Sequence, residues 1–130
     1  MGMSNYLETK WLNTIRGFVF MGVNEVYVGL FTTPGTDLTP GTEPSDSAYS
    51  RQLVTFSEPV QESDKAVIKN TAELSFNPAT ENWGTISHFG LFDASTGGNY
   101  LFHGEVNTAK TVETDDQLKI QANELTVSLE

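Results

Sequence analysis

The sequence predicts a mainly β protein: one antiparallel β-sandwich or jelly-roll-like domain over residues 1–130, with a single amphipathic helix at its N-terminus. Two observations lead to this prediction. Short segments with strand character recur at intervals of about ten residues and are separated by turn residues, which is typical of sandwiches. Only residues 5–17 show the apolar spacing of a helix. A chain of 130 residues is long enough to bury a core of its own.

The helix is predicted from its two ends and from one apolar stripe. Asn5, followed three residues later by Glu8, has the form of a capping box, and Gly17 is placed to end the helix. The stripe consists of Leu7, Trp11, Leu12 and Ile15. We expect it to pack against the domain's own sheet, and the alternative is that it docks into a partner subunit.

A long segment without helix or strand is predicted at residues 33–47, where Thr-Pro-Gly-Thr occurs twice, at 33–36 and at 39–42. Loops of this length in compact domains are usually either functional or disordered. Two interpretations therefore stay open. The segment is either an extended arm that contacts a neighbouring subunit, with Pro34, Leu38 and Pro40 as contact residues, or an unstructured surface loop.

The strands follow from period-two alternation and from turn residues. Residues 58–64 and 93–99 are read as turns, and so are the tight turns at Thr114-Asp115-Asp116 and Ala122-Asn123. The predicted strands are Glu25–Thr32, Arg51–Phe56, Ala66–Lys69, Glu73–Phe76, residues 83–92, residues 100–103, Lys110–Glu113, Gln117–Gln121 and Glu124–Leu129.

The centre of the predicted sheet is the aromatic hairpin formed by residues 83–92 and 100–103. Strict alternation places Trp83 and Phe89 on one face and Ile86 and Phe92 on the other. The aromatic side chains are expected to form cross-strand pairs in the core. An exposed row of them that binds sugar rings or a protein is the alternative.

The composition limits the classes of partner. The chain has 17 acidic and 7 basic residues, a formal charge of −10 and no cysteine. Such a surface repels phosphate, so we expect no nucleic-acid partner. Disulfides are excluded. No apolar run approaches the roughly 18 residues of a membrane span, so we expect no membrane partner either.

The sequence offers little for catalysis or for metal binding. His88 and His103 are expected on neighbouring strands, but no ligand pattern supplies a third group, so no metal site is predicted. Ser87 and His88 are adjacent in a strand and should face opposite sides of the sheet, which would keep them from bonding as nucleophile and base. The sequence therefore predicts no catalytic residues, no cofactor and no enzymatic activity.

Several segments together resemble a family of small virion proteins of tailed bacteriophages, whose members are commonly labelled tail fibre proteins and some of whose relatives are capsid cement or decoration proteins. The resemblance covers nearly the whole chain, is most distinctive at residues 83–93, and is weakest at 33–47 and 58–65. It rests on Asn5–Glu8, Val28–Thr33, Ala48–Arg51, Val54–Phe56, Trp83–Asp93, Gly97–Gly104 and Leu125–Leu129.

The resemblance implies a non-enzymatic structural protein on the exterior of the phage particle, assembled in the host cytoplasm. We expect a capsid cement protein that forms a homotrimer on the head and braces the major capsid protein, because one compact domain is short for a complete fibre. The helix stripe and the 33–47 segment would make the contacts. The alternative is a tail fibre or tail-associated module that binds a receptor on the host surface.

Overall fold

The computed structural model describes residues 1–20 and 22–129, and over these residues the chain forms ten strands and one helix. All strand pairs are antiparallel. The elements are β1 (Gly2–Met3), α1 (Asn5–Ile15), β2 (Val26–Phe31), β3 (Gln52–Val54), β4 (Val60–Glu62), β5 (Lys65–Lys69), β6 (Leu74–Ser75), β7 (Gly84–Phe92), β8 (Tyr100–Val112), β9 (Lys119–Ile120) and β10 (Thr126–Leu129).

Within the described residues the strands form three sheets, with five strands in the order β1-β8-β7-β2-β3, three in the order β10-β5-β4, and two in the order β6-β9. The prediction of a mainly β, antiparallel single domain with one N-terminal helix is therefore confirmed. The finer likeness to a jelly roll is not confirmed by this strand order.

The main core lies between the five-stranded sheet and the two smaller sheets. Leu30 and Phe89 contribute from the large sheet, Ile120 from the two-stranded sheet and Val127 from the three-stranded sheet. Full burial of such a side chain stabilises the fold by about 1.5–3 kcal/mol. The core is therefore the main reason that the three sheets stay together.

The β7–β8 hairpin differs from its predicted form in two ways. The predicted separate strand at residues 110–113 is wrong, because β8 runs without interruption from Tyr100 to Val112. The register also shifts, because Ile86 pairs with Lys110 and His88 pairs with Glu105. One residue of β7 therefore faces four residues of β8, and the bulge bows β8 away from β7.

The bulge also changes which side chains share a face. Ile86 and Phe89 both belong to the main core, although strict alternation had placed them on opposite faces. The prediction is wrong beyond Ser87 because the register shift breaks the two-residue alternation of β7 and so reverses the faces of the side chains that follow it.

The other predicted strands are present, with bounds within or one residue beyond their predicted ranges. The predicted turn at 58–64 is too long, since it contains β4, and the turn itself is confined to Ser63 and Asp64, with φ of 46° and 69°. The predicted turns at Asp115 and Asn123 are confirmed, with φ of 73° and 69°. Strand β1 was not predicted because two residues carry no periodicity.

Candidate docking surfaces

The start of α1 is fastened to the large sheet by a residue that sequence reasoning missed. Ser4 is the N-cap: its Oγ accepts a hydrogen bond from the Leu7 N–H at 3.3 Å and donates one to the Tyr100 carbonyl at 2.5 Å. The predicted cap, Asn5, is already helical, and its N–H donates to the Asp37 carbonyl at 2.7 Å. The first turn is thus tied both to β8 and to the 33–47 segment.

The end of α1 has the predicted glycine. Gly17 adopts a φ of +96°, which favours glycine. Its N–H donates to the Thr14 carbonyl and the Phe18 N–H donates to the Asn13 carbonyl, both at 3.0 Å. This pair of bonds is the Schellman motif that ends many helices.

The apolar stripe of α1 is mostly exposed. Leu7 packs against the main core, but Trp11, Leu12 and Ile15 are 45%, 62% and 81% exposed. The expectation that the stripe packs on the domain's own sheet is wrong for these three residues. The physical reason is that α1 is anchored at its first turn and contacts mainly β1 and β8, so its later turns lie off the core.

The exposed apolar side chains continue past the helix. Phe18 and Val19 are exposed as well, and Phe20 lies edge-on to the Trp11 ring at 6.0 Å between centroids. We call Trp11, Leu12, Ile15, Phe18 and Val19 the α1 surface. Exposed clusters of large apolar residues in soluble domains commonly mark interaction sites.

The 33–47 segment is ordered and lies over one face of the large sheet, so we call it the cover. Its two Thr-Pro-Gly-Thr copies pair with each other in antiparallel fashion. The Thr42 N–H donates to the Thr33 hydroxyl at 2.9 Å, and the Thr36 N–H donates to the Thr39 carbonyl at 2.8 Å. The interpretation as an unstructured surface loop is therefore wrong. The absence of helix and strand in the segment agrees with the prediction.

The paired copies lie on the face of the large sheet opposite the main core. Phe31 is fully buried there, and a Cβ atom at Gly35, Gly41 or Gly90 would come within 3.2 Å of its ring. Each copy of the repeat thus supplies one glycine whose lack of a side chain lets the backbone approach the ring. The cover buries Phe31 together with Phe92, which meets it edge-on at 6.1 Å.

Hydrogen bonds hold the cover to β8. The Tyr100 hydroxyl donates to the Thr36 carbonyl at 2.8 Å, and His103 Nε2 lies 2.8 Å from Asp37 Oδ1. Burial, together with the negative charge of Asp37, raises the pKa of Tyr100 to about 12. The predicted contact residues Pro34, Leu38 and Pro40 lie on the outer side of the cover, where they are exposed. Their contact with a neighbouring subunit stays a prediction.

A partly buried ion pair closes one end of the cover. The Arg51 guanidinium bonds both oxygens of Glu43, at 2.8 Å from Nη2 and 3.2 Å from Nε, and its carbon lies 3.5 Å from the centroid of the Phe92 ring. The Tyr49 hydroxyl donates to Glu43 at 2.5 Å. Burial, reinforced by the charge of Glu43, raises the pKa of Tyr49 above its usual range.

A buried carboxylate links the end of the cover to the main core. Asp46 accepts hydrogen bonds from the N–H groups of Ala48, Thr80 and Glu81, from the Thr80 hydroxyl, and from Trp83 Nε1 at 2.9 Å. These donors, led by the Thr80 hydroxyl, hold the pKa of Asp46 well below its ordinary value. Asp46 is thus a structural group that stays ionised.

The two histidines sit two residues apart on neighbouring strands, since His88 pairs with Glu105 and His103 pairs with Gly90. Ser87 lies at the register shift opposite the bulge, and its Oγ is 2.7 Å from His88 Nδ1, so the expectation that these two side chains cannot bond is wrong. On the other side, His88 Nε2 lies 4.0 Å from Glu105 Oε1, and the Glu105 side chain is largely exposed. Among the described residues, no three His, Cys, Asp or Glu side chains converge on a point where a metal ion would fit.

A comparison with known protein families shows to which family the chain belongs. The family model described as podophage GP4 fiber I protein gp80 matches residues 2–128. The chain belongs to this fibre I family. The resemblance to phage virion proteins is thereby confirmed, and the chain is a structural component of a phage particle. No curated protein matches it in sequence. Within the residues that the structure describes, no helix of this fibre I family member is long and apolar enough to cross a membrane.

Proposed function

We propose that this protein is a non-enzymatic structural subunit of a phage fibre and that it attaches to its neighbours in the virion through the α1 surface. The observation that carries the proposal is the exposure of that surface on a helix whose start is rigidly fastened by Ser4 and Asn5. An anchored helix presents its side chains in one orientation, which lowers the entropy lost on binding. The family's description as a fibre protein supports this location.

The α1 surface has the character of a docking element and not of a catalytic one. It combines a tryptophan with aliphatic side chains, and tryptophan is enriched among the residues that dominate binding energy. Lys10 and Arg16 flank the apolar residues, with Glu8 as the only acidic residue between positions 4 and 20. This segment is therefore net positive, whereas the rest of the chain is net negative. A positively charged surface favours an acidic partner.

The experiment is incorporation into phage particles. Phage that lack the gene are supplied with the wild-type chain, with Ile15→Asp, or with the control Val60→Asp. The control changes an exposed valine in the three-stranded sheet, away from α1. We expect the wild type and the control in purified particles and a loss of Ile15→Asp. Gold-labelled antibody should mark fibres, with few copies per particle. Equal incorporation of all three chains would contradict attachment through α1.

A second candidate is the capsid cement role, in which a homotrimer on the outside of the head braces the major capsid protein. It is supported by the compact single domain and by the ordered cover, which presents Pro34, Leu38 and Pro40 on its outer side. A closed three-fold assembly would match the three-fold axes of a capsid. Antibody label over the head, with hundreds of copies per particle, would favour this candidate over the fibre.

A further inference from the structure

A groove lies behind the bulge of β8 and reaches into the main core. It has a volume of about 230 Å³, with β8 on one side and residues between 118 and 125 on the other. Its floor includes Leu30, Ile86 and Leu125, core residues that are at most 2% exposed. A cavity of about 150 Å³ lined by apolar side chains already admits benzene, so this groove has room for a ring with a short chain attached.

Two hydrogen bonds join the walls of the groove at its exposed rim. Asn107 Nδ2 donates to the Glu124 carbonyl at 2.9 Å, and Lys110 Nζ donates to the Lys119 carbonyl at 3.3 Å. Both donors belong to β8, and both acceptors belong to the opposite wall. The groove therefore suits a compact group, whereas a polypeptide lying along it would have to break both bonds.

The lining of the groove is net positive, although the whole chain has a charge of −10. Among the described residues, its charged lining consists of Lys110, Lys119 and Glu124. Lys119 Nζ lies 3.9 Å from Glu73 Oε1, which offsets its charge. Lys110 bonds a carbonyl and, within the part of the chain that the structure describes, pairs with no carboxylate. An ammonium has three N–H donors, so Lys110 has two left for a ligand.

An apolar floor beside one available ammonium is complementary to an amphipathic anion. A single negative charge fits better than the double charge of a phosphate, because Glu124 at the rim and the acidic surface beyond it repel each added charge. A carboxylate meets this requirement, since it carries one charge and its two oxygens accept hydrogen bonds from an ammonium.

We propose that the groove is a binding site for a small apolar monocarboxylate, with its ring or alkyl chain on the floor formed by Leu30, Ile86 and Leu125 and its carboxylate bonded to Lys110. The site is separate from the α1 surface, because α1 contributes none of the described residues that line it. The ligand spans the gap between β8 and the opposite wall. Its binding therefore stabilises the folded chain by mass action.

The test uses the full chain and four probes that separate the apolar contribution from the charge. The acid 3-phenylpropionate presents both a ring and a carboxylate. In 3-phenylpropan-1-ol a neutral hydroxyl replaces the carboxylate, and in 3-phenylpropylamine a cation replaces it. Propionate has the carboxylate without the ring. Proton–nitrogen correlation NMR at pH 7 reports both the affinity of each probe and the residues whose signals shift.

We expect 3-phenylpropionate to shift the signals of residues 106–110 and 118–125 until they saturate. The alcohol should bind at the same place about fivefold more weakly, which corresponds to a partly exposed ion pair. The amine should bind more weakly than the alcohol, because its charge repels that of Lys110. Propionate should bind about tenfold more weakly than 3-phenylpropionate, or less tightly still, because it buries no ring.

Three variants separate the charge of Lys110 from the folding of the groove. Lys110→Met removes the ammonium and keeps an unbranched side chain, so it should bind the acid no better than the alcohol while its affinity for the alcohol stays that of the wild type. Lys110→Arg keeps a positive charge and should keep the preference for the acid. The control Lys69→Met removes a lysine of β5 outside the described lining and should preserve the wild-type order.

Four results would overturn the inference: signal shifts outside the groove, equal affinity for the acid and the alcohol, propionate binding as tightly as 3-phenylpropionate, or a preference for the acid that survives in Lys110→Met. If Lys110→Met also loses the alcohol, the groove has collapsed and Lys110→Arg decides, since loss of its preference for the acid would overturn the inference too. None of these results bears on α1, so the proposed function is tested separately by incorporation into particles.

Discussion

The 33–47 cover and α1 show that regular secondary structure and burial are separate properties in this protein. The cover has neither helix nor strand, yet it packs on Phe31 and Phe92 through glycines and threonine hydrogen bonds. By contrast, α1 is a regular helix with a well-formed start and end, and none of its residues, all of which the structure describes, is fully buried. The irregular segment is thus part of the stable domain, and the regular one is available for binding.

The largest effect on stability is expected at Phe31, the ring that the cover buries. Phe31→Ala should lower the free energy of unfolding by about 3–5 kcal/mol, because it removes a fully buried ring and leaves a cavity. Urea unfolding followed by circular dichroism measures the change. The cover should also become a site of early proteolysis. A loss below about 1 kcal/mol would mean that the cover contributes little packing.

The next effect tests the link between the cover and the core. The pKa of Asp46 is lower in the folded state than in the unfolded state. Its contribution to stability is therefore complete above pH about 4, where the carboxyl is ionised in both states. The contribution is lost as the pH falls towards the folded-state pKa.

We therefore expect Asp46→Asn to destabilise the protein at pH 7 and to flatten the fall in stability below pH 4. Urea midpoints measured from pH 7 down to the acid transition report both changes. Asp93→Asn, at a carboxylate that accepts hydrogen bonds from the exposed turn residue Asn99, is the control. Parallel pH profiles for the wild type and Asp46→Asn would contradict the structural role of Asp46.

A smaller effect tests how α1 is fastened. Ser4→Ala should cost about 1 kcal/mol of stability, because it removes the N-cap acceptor and the bond to the Tyr100 carbonyl. Asn5→Ala is the matched comparison and should be close to neutral, since Asn5 contributes its backbone N–H to Asp37 and alanine retains it. If urea unfolding shows that Asn5→Ala loses more stability than Ser4→Ala, then Asn5 and not Ser4 is the N-cap.

The smallest effect on stability is expected at the α1 surface. Leu12→Asp should change the free energy of unfolding by no more than about 0.5 kcal/mol, because the side chain is already exposed. The same thermal or urea measurement applies. A loss as large as that of Phe31→Ala would show that the α1 surface is packed within the isolated chain.

Much of the fold could be predicted because its signals are local. The alternation of β2, the glycine that ends α1 and the turn residues Asp115 and Asn123 each depend on neighbours within a few positions. The candidate site was predicted only in part. The stripe residues Trp11, Leu12 and Ile15 were identified, but their expected burial was wrong. Ser4 was missed because Asn5 and Glu8 match the capping box, although a serine directly before a helix is itself a local N-cap signal. Only its bond to the Tyr100 carbonyl, 96 positions away, lies outside any local pattern.

By itself, the sequence determined the fold class, the places where the chain turns, the acidic surface and the family, because these depend on residue types and short spacings. The tertiary structure alone decided which face of each element is covered. The register shift between Ile86 and His88 reversed the alternation of the hairpin, and two distant repeats became a cover because their glycines meet one phenylalanine ring. Such outcomes depend on contacts between residues far apart in the chain, and no local pattern encodes them.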